Sequence, residues 1–133
     1  VRSIATMPLR VRQQSASAAV IASALASHPK ISKVYYPGLV SHTNHEVAAR
    51  QMSNGFGGML SVLVKGGKTE ALAMTGKLQI FRHATSLGGV ESLIEHRLTA
   101  EGDHPKSPDN LLRISIGVED TEDLLSDLLN GLS

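Results

Sequence analysis

The sequence predicts an α/β fold, a small two-layer sandwich of about four strands in a mostly antiparallel or mixed sheet with helices on one face. Three observations predict it. Segments with apolar residues three and four apart alternate with short leucine- and valine-rich runs. Glycine- or proline-containing pairs (Pro37-Gly38, Gly57-Gly58, Gly66-Gly67, Gly88-Gly89) punctuate those segments. The chain is 133 residues long and 41% hydrophobic, enough for one core and too short for several.

The elements follow in order. Residues 12–27 read as a helix, with Ala18, Ile21, Ala22 and Leu25 on one face and Gln13, Gln14 and Ser17 opposite. Pro29 biases His28 away from helical geometry and ends it. Residues 34–36 form a short strand closed by Pro37-Gly38, and Ser41 or Thr43 caps a second helix running to about Met52. Residues 59–64 are a strand, 68–76 a third helix, and 78–84 a third strand. A turn at 86–89 leads into a short helix over 90–96, and 99–110 is a polar loop. Residues 111–118 are the fourth strand, and a final helix carries Leu124, Leu125, Leu128, Leu129 and Leu132 in one stripe that faces the core.

Composition removes several function classes. Net charge is +1, with 13 basic and 12 acidic residues interspersed, so the chain presents no basic footprint for nucleic acid or a membrane surface. Aromatic content of 3% offers no platform for stacking bases. No apolar run approaches the roughly 18 residues of a membrane span. The stretch 16–26 is too rich in alanine and serine for a signal core. The absence of cysteine removes disulfides, thiol catalysis and thiolate metal sites, and is compatible with a reducing cytoplasm. The first residue, Val1, suggests a processed or excised piece.

Two segments carry chemistry. The first is Ser86-Leu87-Gly88-Gly89-Val90-Glu91-Ser92-Leu93, where consecutive glycines let the backbone pass close to another group and a serine hydroxyl can point into a cleft. The second is Leu112-Arg113-Ile114-Ser115-Ile116-Gly117-Val118-Glu119-Asp120, a strand pattern with one arginine. A guanidinium is costly to bury without an anion, and its fork suits a carboxylate. On their own terms both residues have plainer readings, Arg113 as a surface arginine on an edge strand and Ser86 as a helix N-cap. His42, His45 and Glu46 match no zinc motif and read as a solvated helix start. Glu119, Asp120, Glu122 and Asp123 offset the dipole of the last helix. Gly55–Gly58 lacks the Lys-Ser/Thr of a phosphate-binding loop and reads as a bulged strand entry.

Those segments, together with Arg2, 6–10, His28-Pro29, 34–39, 55–61 and 117–124, occur in an order that resembles the C-terminal domain of the trans-sulfuration family of pyridoxal-phosphate (PLP) enzymes. That family contains cystathionine γ-synthase, cystathionine lyases, methionine γ-lyase and homoserine sulfhydrylases. The resemblance implies one C-terminal domain over 1–133, with 1–11 the end of an interdomain segment. It implies methionine and cysteine metabolism by β/γ-elimination or γ-replacement on a sulfur amino acid or activated homoserine. Arg113 then binds the substrate α-carboxylate, and Ser86 lies beside the cofactor-bearing lysine, with nearby backbone meeting the same carboxylate. Thr85 abuts the distal half of the substrate, where enzymes handling cystathionine often carry a glutamate that threonine does not replace. Arg82-His83 is more polar than the apolar pair usual there.

The family's Schiff-base lysine belongs to a large PLP-binding domain, and none of Lys30, Lys33, Lys65, Lys68, Lys77 or Lys106 stands in that context. The resemblance therefore implies no catalytic residue and no metal ligand in this chain. It implies recognition here, chemistry in the chain's own large domain, and a homotetramer for the full-length enzyme. A stand-alone non-catalytic module for assembly or small-ligand binding, and a domain of aminotransferase type, are the other readings.

Overall fold

The structure, a computed structural model, describes residues 2–133; Val1 and the side chain of Arg2 lie outside the described residues. Helix α1 (Arg2–Ala5) is followed directly by α2 (Met7–Ala26), which starts five residues ahead of the position predicted from its apolar stripe. Pro8 favours that early start, because its missing N–H belongs to the first turn, where no helical acceptor exists. Residues 7–11 are thus part of a long helix. Its predicted polar face is not left to solvent: Gln14 and Ser17 are buried, and the Ser17 hydroxyl lies 2.7 Å from that of Thr121.

Strand β1 (Ile31–Tyr35) leads to a turn and α3 (His45–Gln51). Neither Ser41 nor Thr43 caps that helix; Asn44 occupies the position without a side-chain hydrogen bond. His42 and His45 serve the turn itself. His42 Nδ1 accepts the Asn44 N–H at 3.1 Å, and His45 Nδ1 lies 2.8 Å from the Pro37 carbonyl. Strand β2 (Met59–Val64) and helix α4 (Lys68–Gly76) have the predicted bounds. Glu70 reaches back to accept the Gly67 N–H at 2.7 Å, which satisfies one unpaired donor of the helix start and lowers the Glu70 pKa.

The strand predicted over 34–36 spans 31–35 and the one predicted over 111–118 ends at Ser115, and two further elements change more. The strand over 78–84 contracts to β3 (Arg82–His83), because the N–H groups of Gln79, Ile80 and Phe81 donate instead to the buried Asp127 carboxylate, at 2.8, 2.9 and 3.2 Å. The helix over 90–96 does not form. Residues 93–96 are a strand, β4 (Leu93–His96), which pairs parallel with β3 and antiparallel with β5 (Leu111–Ser115). Ser92 fixes that geometry: its N–H and hydroxyl donate to Glu119 at 2.7 and 2.8 Å, and its oxygen accepts the Gly117 N–H at 2.8 Å. A helical register would break all three bonds. Gly117 is needed there, since a Cβ would sit 2.3 Å from the Val90 carbonyl oxygen.

Short helix α5 (Arg97–Ala100) opens the predicted polar loop, and α6 (Thr121–Gly131) closes the chain. Asp120 caps α6 by accepting the N–H groups of Glu122 and Asp123. Glu119 precedes the helix and serves Ser92, rather than offsetting the α6 dipole. Of the leucine stripe, Leu124, Leu128 and Leu132 are buried, Leu125 packs at the margin, and Leu129 is exposed.

The sheet therefore has five strands, in the order β1-β2-β5-β4-β3, with every pair antiparallel except β3–β4. Leu60, Val62 and Val64 of β2, Leu112 and Ile114 of β5 and Ile94 of β4 share one face. They form a single core with Ala18, Ile21, Ala22 and Leu25 of α2, Ala71 and Met74 of α4, and Leu124 and Leu128 of α6. Each fully buried Leu or Ile in it contributes roughly 1.5–3 kcal/mol relative to exposure. The alternate residues, including Tyr35, Ser61, Arg113 and Glu95, lie on the opposite face.

Candidate functional site

Strand pairing aligns Tyr35, Ser61, Arg113 and Glu95 in one row across β1, β2, β5 and β4. Arg113 is thus on the central strand of the sheet, not on an edge. Its side chain is 24% exposed and lines an open hollow of about 320 Å³ with Tyr35, Ser61 and Leu87. Lys33 stacks over the Tyr35 ring at 4.7 Å, at the outer end of this row.

The guanidinium is held from behind. Arg113 Nη1 donates to Glu95 Oε1 at 2.7 Å, and Arg97 Nη1 donates to the same oxygen at 3.1 Å. The Glu95 side chain is only 6% exposed, and its second oxygen, Oε2, is buried without a hydrogen-bond partner among the described residues. Arg97 also pairs with Glu101 at 3.5 Å. Glu101 in turn accepts from the Lys106 N–H at 2.6 Å, the Ser107 N–H at 3.0 Å and the Ser107 hydroxyl at 2.5 Å. The Ser107 hydroxyl, the two backbone donors and the Arg97 charge hold the Glu101 carboxyl down at about 2. A chain of charge-assisted bonds thus runs from the 101–107 loop to Arg113.

Ser86 is exposed and does not cap a helix, since the segment after it is loop and then strand. Its φ is +98°, a left-handed conformation that favours glycine and is strained in serine. The turn around it is tied to α2: Arg10 Nε donates to the Gly88 carbonyl at 3.0 Å and Gln14 Nε2 to the Gly89 carbonyl at 2.9 Å. Arg10 is braced by the Ser3 carbonyl at 2.7 Å and by the Thr6 hydroxyl. That anchoring places Leu87, the neighbour of Ser86, at the rim of the Arg113 hollow.

Thr85 is exposed and lines a separate cavity of about 260 Å³ with His83, Glu95, His96 and Thr99. His83 and His96 are committed to the frame there. His83 Nε2 lies 2.9 Å from the Thr75 carbonyl, while His96 Nε2 and Nδ1 lie 2.5 and 2.6 Å from the Asp109 carbonyl and the Thr99 hydroxyl. Arg82 makes a 3.6 Å ion pair with Glu91 in a solvated setting. Glu95 thus borders the Thr85 cavity and holds Arg113 at the other, so the two are joined through one carboxylate. Ser86 lines neither cavity.

Glu95, Arg97, Arg10 and Gln14 have no part in the site predicted from sequence. Glu95 was legible in one respect: it follows Leu93-Ile94 at the alternation of a strand, but a helical reading of 90–96 puts it on the surface. Arg10 and Gln14 act across more than 70 residues and leave no local signal.

The fold defines the class, an α/β domain whose mixed five-stranded sheet carries helices packed on it. The chain belongs to the Cys/Met metabolism PLP-dependent enzyme family, whose match covers residues 1–133. Cystathionine γ-synthase of Mycobacterium tuberculosis is 47% identical over 136 residues, covering 98% of this chain and 35% of that protein. Cystathionine γ-lyase of Dictyostelium discoideum is 39% identical over 98% of this chain and 36% of its own length. The crystal structure of metB from Corynebacterium glutamicum matches with a TM-score of 0.89 at 45% identity, covering 96% of this chain and 34% of that one. A cystathionine γ-synthase from Xanthomonas oryzae pv. oryzae, solved with aminoacrylate and cysteine, matches with a TM-score of 0.85 at 42% identity over 96% and 35%. The chain therefore spans about a third of the length of these relatives.

All six lysines are exposed, and none lines the Arg113 hollow or the Thr85 cavity. Among the described residues no helix is long and apolar enough to cross a membrane.

Proposed function

We propose that this chain is the C-terminal, substrate-carboxylate-binding domain of a cytoplasmic, homotetrameric PLP-dependent trans-sulfuration enzyme. The reaction is β/γ-elimination or γ-replacement on a sulfur amino acid or an activated homoserine. The observation that carries this reading is the position of Arg113, a part-exposed guanidinium on the central strand that lines an open hollow. A carboxylate there gains two parallel charge-assisted bonds, which fix orientation as well as affinity.

The division of labour follows from the residue types. Arg113 takes the α-carboxylate and sets the position of the rest of the amino acid relative to it. Ser86 lies beside the lysine that carries the cofactor, on a turn tied to α2 through the Gly88 and Gly89 carbonyls. Thr85 meets the distal half of the substrate and brings no charge to it, which disfavours a distal ammonium. No residue of this chain is catalytic. The electron-sink chemistry of PLP is assigned to the enzyme's large domain, and no step passes through the residues described here.

The test is Arg113→Ala in the full-length holoenzyme. The reading predicts a raised KM and a loss of about 1.5–3 kcal/mol in transition-state stabilisation, read from kcat/KM, with PLP retention unchanged. Unaltered kinetics removes Arg113 from the site. A start codon immediately upstream of Val1, with no cofactor domain encoded, supports the stand-alone module instead.

A further inference from the structure

The Arg113 guanidinium carries five N–H donors, and the protein uses one edge of it. Nη1 is committed to Glu95 Oε1, while among the described residues Nε and Nη2 donate to no protein acceptor. Glu95 is itself held in place: it is more than nine-tenths buried, it is flanked by Ile94 and His96 in an interior strand, and its Oε1 accepts from a second guanidinium, Arg97. An arginine side chain on an open face otherwise samples many rotamers, and holding one costs binding free energy at the moment a ligand arrives.

We propose that Glu95 is a positioning residue for substrate recognition: it clamps Arg113 through Nη1, so that the Nε/Nη2 edge is presented ready-made to the incoming α-carboxylate. The proposal rests on the reading of Arg113 as the carboxylate-binding residue. Two anions then share one guanidinium on different edges, and substrate does not need to displace Glu95. Arg97 keeps Glu95 in place by supplying a second positive charge, which offsets its burial. Thr85 faces the same Glu95 from the adjoining cavity, so the clamp also sets the wall between the proposed carboxylate and distal-group regions.

The experiment measures KM and kcat of the holoenzyme with L-cystathionine and with an O-acylated homoserine, and the inhibition constant of propionate. Propionate carries a carboxylate and no amino group, so it reports carboxylate recognition apart from the reaction. Four variants are compared: Glu95→Ala, Glu95→Gln, Arg113→Ala, and Glu95→Ala combined with Arg113→Ala. The clamp predicts that Glu95→Ala raises KM and the propionate constant about tenfold, the size of one well-placed charge-assisted bond, with kcat little changed. Glu95→Gln falls between, because its amide oxygen still accepts from Nη1. In the Arg113→Ala background the Glu95 substitution adds nothing, since the residue acts through Arg113. Unchanged or lowered KM in Glu95→Ala, or a full additional effect in the double variant, overturns the clamp while Arg113 stands. An unchanged KM in Arg113→Ala overturns the Arg113 reading and the clamp with it. If Glu95→Ala does not fold, the near-isosteric Glu95→Gln carries the test, and wild-type values for it contradict the proposal.

Discussion

Glu95 and Arg113 are direct partners across the β4–β5 ladder, and the 2.7 Å bond between them joins a nearly buried carboxylate to the one guanidinium on the central strand. A pair in this setting is costly to break and not necessarily stabilising to have, because both charges lost water on folding. Arg113→Ala should therefore destabilise the protein, by about 1–2 kcal/mol since Arg97 still neutralises Glu95. Replacing both partners with apolar residues of similar size, Glu95→Leu with Arg113→Met, should recover most of that loss. Urea denaturation of the three proteins checks this, and a double variant less stable than the single one contradicts it.

Asp127 does for residues 79–81 what a neighbouring strand would otherwise do. Asp127→Ala leaves three backbone N–H groups without their acceptor and should cost about 2–4 kcal/mol. Hydrogen exchange at Gln79, Ile80 and Phe81 should accelerate beyond what the global loss explains. Unchanged protection at those amides would remove Asp127 as the organiser of this segment.

Ser86 holds a left-handed backbone that glycine adopts without strain. Ser86→Gly should raise stability by about 0.5–1 kcal/mol, whereas Ser86→Ala keeps the strain and gains nothing. The comparison of the two thermal midpoints is the measurement. Equal midpoints would mean that the serine is not strained.

Glu101 titrates at about 2 in the folded chain against an ordinary 4.5. Its folded value is depressed, so its contribution is complete above about 4.5 and is lost as pH falls through about 2. The amide shifts of Lys106 and Ser107 should follow that low midpoint, and Glu101→Gln should abolish the titration. A midpoint near 4.5 would show that the three donors do not hold the carboxylate.

How far the sequence reveals this molecule depends on where the signals are local. Strand β2 and helix α4 have the predicted bounds because glycine turns flank them and their periodicities are unmixed. The early start of α2 was hidden by the exposed Leu9 and Val11, which carry no core periodicity. The segment 90–96 looks helical by the spacing of Val90, Leu93 and Ile94, yet it becomes a strand because Ser92, Glu119 and Gly117 lock its entry. That misreading also hid Glu95. Arg113 stands out as a carboxylate-binding candidate through the resemblance of its segment, since residue type alone fits a surface arginine equally well, and its partner depends on β4 pairing with β5, a contact no local pattern reports.

The proposed role of Arg113 as receiver of the substrate carboxylate is decided by a structure of the holoenzyme with a bound amino-acid substrate analogue. The account predicts both carboxylate oxygens about 2.7–2.9 Å from the Nε and Nη2 nitrogens of Arg113, with Nη1 still on Glu95. A carboxylate bound elsewhere, with Arg113 making no contact to it, would contradict the account.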